Sequence, residues 1–161
     1  MALAERLVER LKERGETIAA AESCTAGLAA DCIARVPGAS LVFWGSFVCY
    51  TADAKRRMLA VPDELIQKHG LVSHQVALSM AEGALEKSGS DLAFSLTGLA
   101  GPGGDGSETP VGTVWMGFAE RRTGSFRPEA KEFFFTGSRN EIREKAVAAV
   151  LEELLDRLGP G

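Results

Sequence analysis

Two residues in the first third of the chain, Ser23 and Lys55, could together carry out acyl-transfer chemistry. A serine hydroxyl is a poor nucleophile until a base removes its proton. The chain has only 2 histidines, so a lysine is a reasonable candidate for that base. Such a lysine must be neutral when it acts, so burial or a neighbouring cation must lower its pKa. Taken alone, a lysine on a short helix is typical of a solvated surface, and this alternative stays open for Lys55.

The segment AESCTAG, Ala21 to Gly27, places Ser23 between an apolar run and an alanine-rich stretch. We interpret this as a strand leading into a helix, with Ser23 at the carboxyl edge of a sheet, where open α/β proteins bind ligands. Free N–H groups at the helix start could hold an anion or a developing oxyanion. Two alternatives stay open. Ser23 or Thr25 could be only a helix N-cap, and Cys24 could be a rival nucleophile or a small buried residue.

A glycine-crowded loop, LTGLAGPGGDG, follows a predicted strand further along the chain. Such a loop can turn successive N–H groups toward an anion, and a mobile surface turn is the alternative. The loop is no Walker A motif, because no Gly-Lys-Ser/Thr follows it. It is no dinucleotide fingerprint either, because the GxGxxG spacing is absent and a strand follows.

Tyr50 and Arg139 are further candidates. Tyr50 ends a predicted strand just before the short helix that carries Lys55. Arg139 lies in the first turn of the last predicted helix, where a cation is unfavourable with the helix dipole. A ligand phosphate would relieve that cost, but a salt bridge to Glu141 or Glu144 is the favoured alternative from the sequence.

The elements that must position these residues follow from periodicity and from turn residues. An amphipathic helix ends at Gly15, and the strand around Gly45 is expected to bend there. We predict a hairpin loop over 121–129. Further helices are expected at 25–34, 52–59, 62–70, 73–89 and 138–158, and strands at 17–21, 41–51, 91–98, 111–120 and 130–137. This order predicts a single three-layer α/β/α domain over 1–161 with a mixed, mostly parallel sheet.

Composition narrows the class of protein. The net charge of −4 and the pI of about 5.3 argue against a nucleic-acid binder. No apolar run is long enough to span a bilayer, so no membrane contact is expected. The 3 cysteines and 2 histidines fit no disulfide framework and no metal site. We therefore expect a cytoplasmic protein without metal or cofactor, and the aromatic strands leave room for a homo-oligomer.

Taken together, these segments resemble the C-terminal domain of the competence/damage-inducible protein CinA, a family that includes stand-alone nicotinamide-nucleotide amidases. The resemblance runs from about Thr17 to Arg139 and keeps the family's order and spacing. The matching stretches are AESCTAG, VPGAS, FVCYTADAK, HGLVSHQVA, MAEGA, LAFSLTGLAGPGG and PVGTVWMGFA.

The resemblance implies an amidohydrolase that converts nicotinamide mononucleotide to nicotinic acid mononucleotide and ammonia, in pyridine-nucleotide recycling. It implies a metal-independent reaction with Ser23 as nucleophile, Lys55 as general base and Tyr50 orienting Lys55 or contacting the substrate. The small-molecule nucleotide substrate is expected to contact Thr25, Thr97, Gly98, Gly101, Gly103, Gly104 and Arg139. The alternative is a catalytically silent nucleotide-binding module that acts through partner contacts.

The sequence departs from the family pattern at a few positions. Ala26 stands where the family usually has a second glycine, and its methyl group could narrow the approach to the ligand. Thr51 and Ala52 replace a usual serine and a polar residue. The molybdopterin-binding-like domain of longer members has no counterpart here, so none of its activity is expected.

Overall fold

The computed structural model describes residues 2–122 and 127–160. In these ranges no helix is both long and apolar enough to cross a membrane. The strands are β1 (Ile18–Glu22), β2 (Phe43–Val48), β3 (Leu92–Gly98), β4 (Thr113–Glu120) and β5 (Glu129–Phe134). The α-helices are α1 (Leu3–Arg14), α2 (Leu28–Ala34), α3 (Ala52–Leu59), α4 (Asp63–His69), α5 (His74–Ser88) and α6 (Arg139–Leu158).

The strands form one sheet in the order β2-β1-β3-β4-β5. β1 pairs in parallel with β2 and β3, whereas β4 is antiparallel to both β3 and β5. Every strand except β4 therefore runs in one direction, which confirms the predicted mixed, mostly parallel sheet. The register between β1 and β2 shifts between Phe43 and Gly45, so that Trp44 is the extra residue, next to the glycine where the bend was expected.

Helices cover both faces of the sheet, as predicted for three layers. α1, α2 and α6 share one apolar core with Ile18 and Ala20 of β1, and α3 and α5 share the other with Ala21. Side chains alternate between the two faces along a strand. The next two residues, Glu22 and Ser23, therefore leave β1 on opposite faces, Glu22 toward α2 and Ser23 toward α3.

The predicted element order is confirmed, with one difference that matters for the site. We expected a helix from Thr25, but residues 24–27 form a turn and α2 begins at Leu28. Ala26 has φ 47° and Gly27 has φ 97°, both in the left-handed region that a right-handed helix excludes. The predicted hairpin loop over 121–129 includes residues 123–126, which lie outside the described residues.

Candidate active site

Ser23 and Lys55 meet beyond the carboxyl ends of β1 and β2. The Ser23 N–H donates to the Leu96 carbonyl at 2.9 Å, which extends the pairing of β1 with β3. The Lys55 ammonium nitrogen Nζ lies 2.8 Å from Ser23 Oγ and 3.0 Å from the carbonyl oxygen of Cys49. Lys55 is only 1% exposed, so the alternative that its side chain lies on a solvated surface is wrong.

The short helix α3 explains how a lysine becomes buried here. Lys55 lies one turn before Leu59, and both residues are on the buried face of the helix. Thr51 begins the helix by accepting a hydrogen bond from the Ala54 N–H at 3.1 Å. Threonine at this position therefore serves as an N-cap, as the family's usual serine could.

The surroundings of Lys55 favour its neutral form. Burial lowers the pKa of its amino group below the ordinary value of 10.5. Among the described residues, no carboxylate lies within ion-pair distance of Nζ to oppose that effect. When Nζ is neutral, the Ser23 hydroxyl can donate to it across the same 2.8 Å. The pair can thus act as nucleophile and base.

Glu22 is a buried carboxylate next to Ser23 that sequence reasoning missed. It is fully buried, and its signal in the sequence was a charged residue closing the apolar strand Ile18–Glu22. The carboxylate accepts five hydrogen bonds, from Thr25 Oγ1 and Ser46 Oγ and from the backbone N–H groups of Gly27, Ala29 and Ala30. It therefore caps α2 and leaves these N–H groups unavailable to a ligand, contrary to our expectation.

Glu22 also settles the roles of the neighbouring residues. Ser23 is no helix N-cap, because Gly27 occupies that position and the capping oxygens belong to Glu22. Thr25 is fully buried and donates to Glu22 Oε2 at 2.7 Å. Its side chain does not line the cleft described below. Any contact of Thr25 with a substrate through that side chain is therefore not supported.

Cys24 remains a poor candidate for the nucleophile. It is 6% exposed, and burial raises the pKa of its thiol to about 11. The reactive form of a cysteine is the thiolate. At neutral pH this thiol stays protonated. The alternative that Cys24 is a small buried residue therefore fits better than a role as nucleophile.

Ser23 and Lys55 open into a cleft of about 210 Å³. The predicted residues that line it are Ser23, Tyr50, Lys55, Thr97, Gly98, Gly101, Gly103, Gly104 and Arg139. Leu71, Val72 and Asp105, which sequence reasoning did not single out, line it too. A larger groove of about 670 Å³ runs along α1 and the end of α6 and contains none of the predicted residues.

Arg139 joins two sides of the cleft. Its guanidinium donates to the carbonyl of Gly101 at 2.6 Å and to the hydroxyl of Tyr50 at 2.7 Å. The expected salt bridge to Glu141 or Glu144 is wrong. Among the described residues no carboxylate pairs with Arg139, and Glu141 accepts from the Ser138 N–H in a capping box that begins α6. The capping box frees Arg139 for the cleft, where its partners are neutral groups.

The glycines of the loop fall into two kinds. A Cβ on Gly98 would lie 2.7 Å from the Thr113 carbonyl oxygen, and one on Gly101, at φ +81°, would lie 2.6 Å from Val111. A Cβ on Gly103 or Gly104 would meet nothing within 4 Å. The fold thus needs the first two glycines, whereas the absence of side chains at 103 and 104 leaves the backbone open to a ligand.

Ala26 does not narrow the cleft as we expected. Its methyl group is exposed and does not line the cleft. Its φ of 47° instead explains why glycine would suit this position, since a non-glycine residue is strained there. Alanine in place of the usual glycine at position 26 therefore costs backbone strain and does not obstruct the cleft.

Fold and site together define a three-layer α/β domain with a buried serine–lysine pair in a cleft at the carboxyl ends of parallel strands. The chain belongs to the CinA family: the model of the CinA C-terminal domain matches residues 1–158.

Relatives of known name and structure agree with this assignment. The chain is 43% identical over 155 residues to the nicotinamide-nucleotide amidohydrolase PncC of Escherichia coli, covering 96% of this chain and 92% of that protein. A CinA-like protein of Geobacter is 50% identical over 139 residues, 86% of this chain but 33% of the relative. The crystal structure of the competence/damage inducible protein CihA from Agrobacterium tumefaciens superposes with a TM-score of 0.90 at 40% identity, covering 96% and 93% of the two chains.

Proposed function

We propose that this protein hydrolyses the carboxamide of nicotinamide mononucleotide to nicotinic acid mononucleotide and ammonia. The observation that carries the proposal is the 2.8 Å separation of Ser23 Oγ and Lys55 Nζ in a cleft. The substrate class comes from the E. coli relative, which is similar over 92% of its length and is named for this activity.

In the first step Lys55 Nζ accepts the Ser23 proton while Oγ attacks the carboxamide carbon. The carbonyl π electrons move to oxygen and form a tetrahedral oxyanion. When this intermediate collapses, the C–N bond breaks, and the nitrogen takes the proton from Lys55 and leaves as ammonia. The product of the step is an acyl ester on Ser23.

In the second step the neutral Lys55 removes a proton from water, and the resulting hydroxide attacks the ester. The second tetrahedral intermediate collapses, the bond to Ser23 Oγ breaks, and Lys55 returns the proton to Oγ. The carbonyl oxygen of Cys49 keeps Lys55 aligned through both steps, since Nζ donates to it at 3.0 Å whether the amine is neutral or charged. The carbonyl oxygen of Tyr50, 3.4 Å from Oγ, can accept from the Ser23 hydroxyl only before the attack.

Arg139 and the glycine loop are the proposed contacts of the substrate phosphate. The guanidinium of Arg139 donates to the neutral hydroxyl of Tyr50 at 2.7 Å. A phosphate oxygen is a stronger, charged acceptor, so it would displace this partner and form the charge-assisted bond. Tyr50 is 52% exposed and can turn away when that happens.

The decisive experiment compares Ser23→Ala with Cys24→Ala in an assay that measures both ammonia and nicotinic acid mononucleotide. We expect Ser23→Ala to lower kcat by at least about 10³-fold, as removal of a nucleophile does. Cys24→Ala, the adjacent control, should keep kcat within about threefold. Circular dichroism would establish that both variants are folded, and activity should survive chelation of divalent metals.

Three results would contradict the proposal. Near wild-type turnover by Ser23→Ala would show that Ser23 is not the nucleophile. Loss of turnover only in Cys24→Ala would assign the role of nucleophile to the Cys24 thiol. A wild-type protein that nicotinamide mononucleotide stabilises against heat, but that releases no ammonia, would indicate the binding module instead.

A further inference from the structure

Arg143 on α6 directs its guanidinium at the turn that carries the nucleophile. Its Nε donates to the carbonyl of Cys24 at 3.0 Å, and its Nη2 donates to the carbonyl of Thr25, also at 3.0 Å. The remaining bond, from Nη1, goes to the side-chain oxygen of Asn140 at 3.0 Å. Among the described residues no carboxylate pairs with this half-buried cation, so it serves two backbone carbonyls of the turn.

These contacts fix the orientation of two successive peptide groups. A trans peptide is planar, so its C=O and N–H point in opposite directions. The carbonyl of Thr25 faces Arg143, and the N–H of Ala26, in the same peptide group, donates to the carbonyl of Ser23 at 3.0 Å. The carbonyl of Ser23 in turn fixes the N–H of Cys24. Arg143 therefore acts on the Cys24 N–H through a chain of backbone contacts.

These backbone contacts hold the Cys24 N–H in place and leave it free to donate to a ligand. It donates to no oxygen acceptor among the described residues. Cys24 is 6% exposed and lines the cleft. A buried N–H without an acceptor is uncommon and needs an explanation. The neighbouring Thr25 is fully buried and does not line the cleft, so its N–H is no alternative.

We propose that Arg143 is a positioning residue that holds the Cys24 N–H as an oxyanion donor for the acyl transfer at Ser23. The proposal rests on the proposed function, because it assumes a tetrahedral intermediate at Ser23. Arg143 acts through its planar fork, which donates from two fixed nitrogens to two successive carbonyls, whereas a lysine ammonium is a single flexible point charge.

The experiment compares Arg143→Met and Arg143→Lys with Lys145→Met, which removes a cation from the same helix. The Lys145 ammonium donates to the carbonyl of Thr136, outside the nucleophile turn. We expect Arg143→Met to lower kcat about 10²-fold, which is typical for loss of an oxyanion donor. KM and the pH dependence of kcat/KM should stay close to wild type. The kcat of Arg143→Lys should fall between that of the wild type and that of Arg143→Met. Lys145→Met should keep kcat within about twofold of the wild type.

A second measurement tests the donor without the amide substrate. A fluorophosphonate forms an O–P bond to Ser23 Oγ as the P–F bond breaks, fluoride leaves and Lys55 takes the proton, while the phosphoryl oxygen occupies the oxyanion position. Mass spectrometry would follow the labelling rate. We expect Arg143→Met to slow labelling about 10²-fold relative to Lys145→Met.

The outcomes separate this proposal from the proposed function. If the wild type is labelled but releases no ammonia, the substrate assignment fails and the labelling rates still decide the role of Arg143. Unchanged kcat and labelling in folded Arg143→Met would overturn the proposal, as would a rise in KM that accounts for the whole loss. An Arg143→Lys protein with wild-type rates would show that charge alone acts and would overturn the positioning role. A wild type that is neither labelled nor active would overturn both proposals.

Discussion

Lys55 is the residue whose position and task are most tightly linked. Burial lowers the pKa of its amino group from 10.5, and the proposed reaction needs the neutral amine. We expect kcat/KM to rise with pH through this lowered pKa and to level off above it. The acid limb should therefore end below the pH at which an ordinary lysine titrates. A profile from pH 5 to 10 checks this, and a limb still climbing at pH 10 would contradict it.

The same burial predicts that Lys55 lowers the stability of the fold. Because the folded-state pKa lies below the unfolded value of 10.5, the cost of burying the charge is fully present below the folded pKa. It disappears as pH rises toward the unfolded value. Lys55→Met keeps a similar volume and removes the charge, so we expect about 1 kcal/mol of added stability at pH 7. The gain should shrink by pH 10.

Urea denaturation at both pH values would measure this gain. The matched control is Lys68→Met on α4, where the lysine is exposed and the change should stay within about 0.5 kcal/mol. If Lys55→Met is less stable than wild type at pH 7, the hydrogen bond from Nζ to the Cys49 carbonyl outweighs the cost of burial.

At the scale of elements, Glu22 connects β1 to α2 and fixes the turn between them. Glu22→Gln replaces one acceptor oxygen by an NH₂ group, so at least one backbone N–H loses its partner. Hydrogen bonds to a charged group contribute about 1.5–3 kcal/mol, and we expect a loss of about 2–3 kcal/mol in the free energy of unfolding. Ser46→Ala removes a single donor to Oε1 and should cost about 1.5 kcal/mol, the low end of that range. Equal costs for both variants would argue against a capping role for Glu22.

The glycine loop offers a contrast between two positions of the same element. Gly98→Ala places a Cβ 2.7 Å from a carbonyl oxygen, so we expect a loss of about 2–3 kcal/mol in stability. Gly103→Ala meets no atom within 4 Å and should leave stability unchanged. If the substrate approaches the backbone there, one added methyl group should raise KM about tenfold. Thermal unfolding and steady-state kinetics on both variants test this, and unchanged kinetics for Gly103→Ala would place the phosphate elsewhere.

Local patterns predicted the elements because their signals lie within a few neighbouring residues. Gly15 and Ser73 mark helix ends by caps that the structure contains. The predicted start of α2 at Thr25 was wrong, because an alanine in the sequence gives no sign of the positive φ that Ala26 adopts. Contacts between residues far apart in the sequence could not be predicted either. Arg143 reaches the turn after Ser23, and Arg139 reaches Tyr50, through the packing of α6 against the sheet. The motifs therefore located Ser23 and Lys55, but their spacing could not show the distance between them.

On the scale of the whole molecule, one edge of the sheet remains apolar and exposed. β2 is an edge strand, and Trp44 is 54% and Val48 is 42% exposed, with Leu41 just before the strand at 72%. Trp44 is thus not a core residue, and its exposed ring is available to an interface. Exposed apolar edge strands tend to associate. We expect the predicted homo-oligomer to form along this edge, next to Tyr50 and the cleft.

A charge on the edge should therefore dissociate the oligomer. Trp44→Glu would place carboxylates of adjacent subunits in an apolar contact, which costs several kcal/mol per buried unpaired charge. The control is Phe134→Glu, because Phe134 is 61% exposed on β5, at the opposite edge of the sheet. Light scattering after size exclusion should give a monomer mass for Trp44→Glu and the wild-type mass for Phe134→Glu. A monomeric wild type would refute the oligomer, and dissociation by Phe134→Glu alone would move the interface to β5. Because Tyr50 lies two residues after the end of β2, loss of the β2 contact should also raise KM, which links assembly to the site.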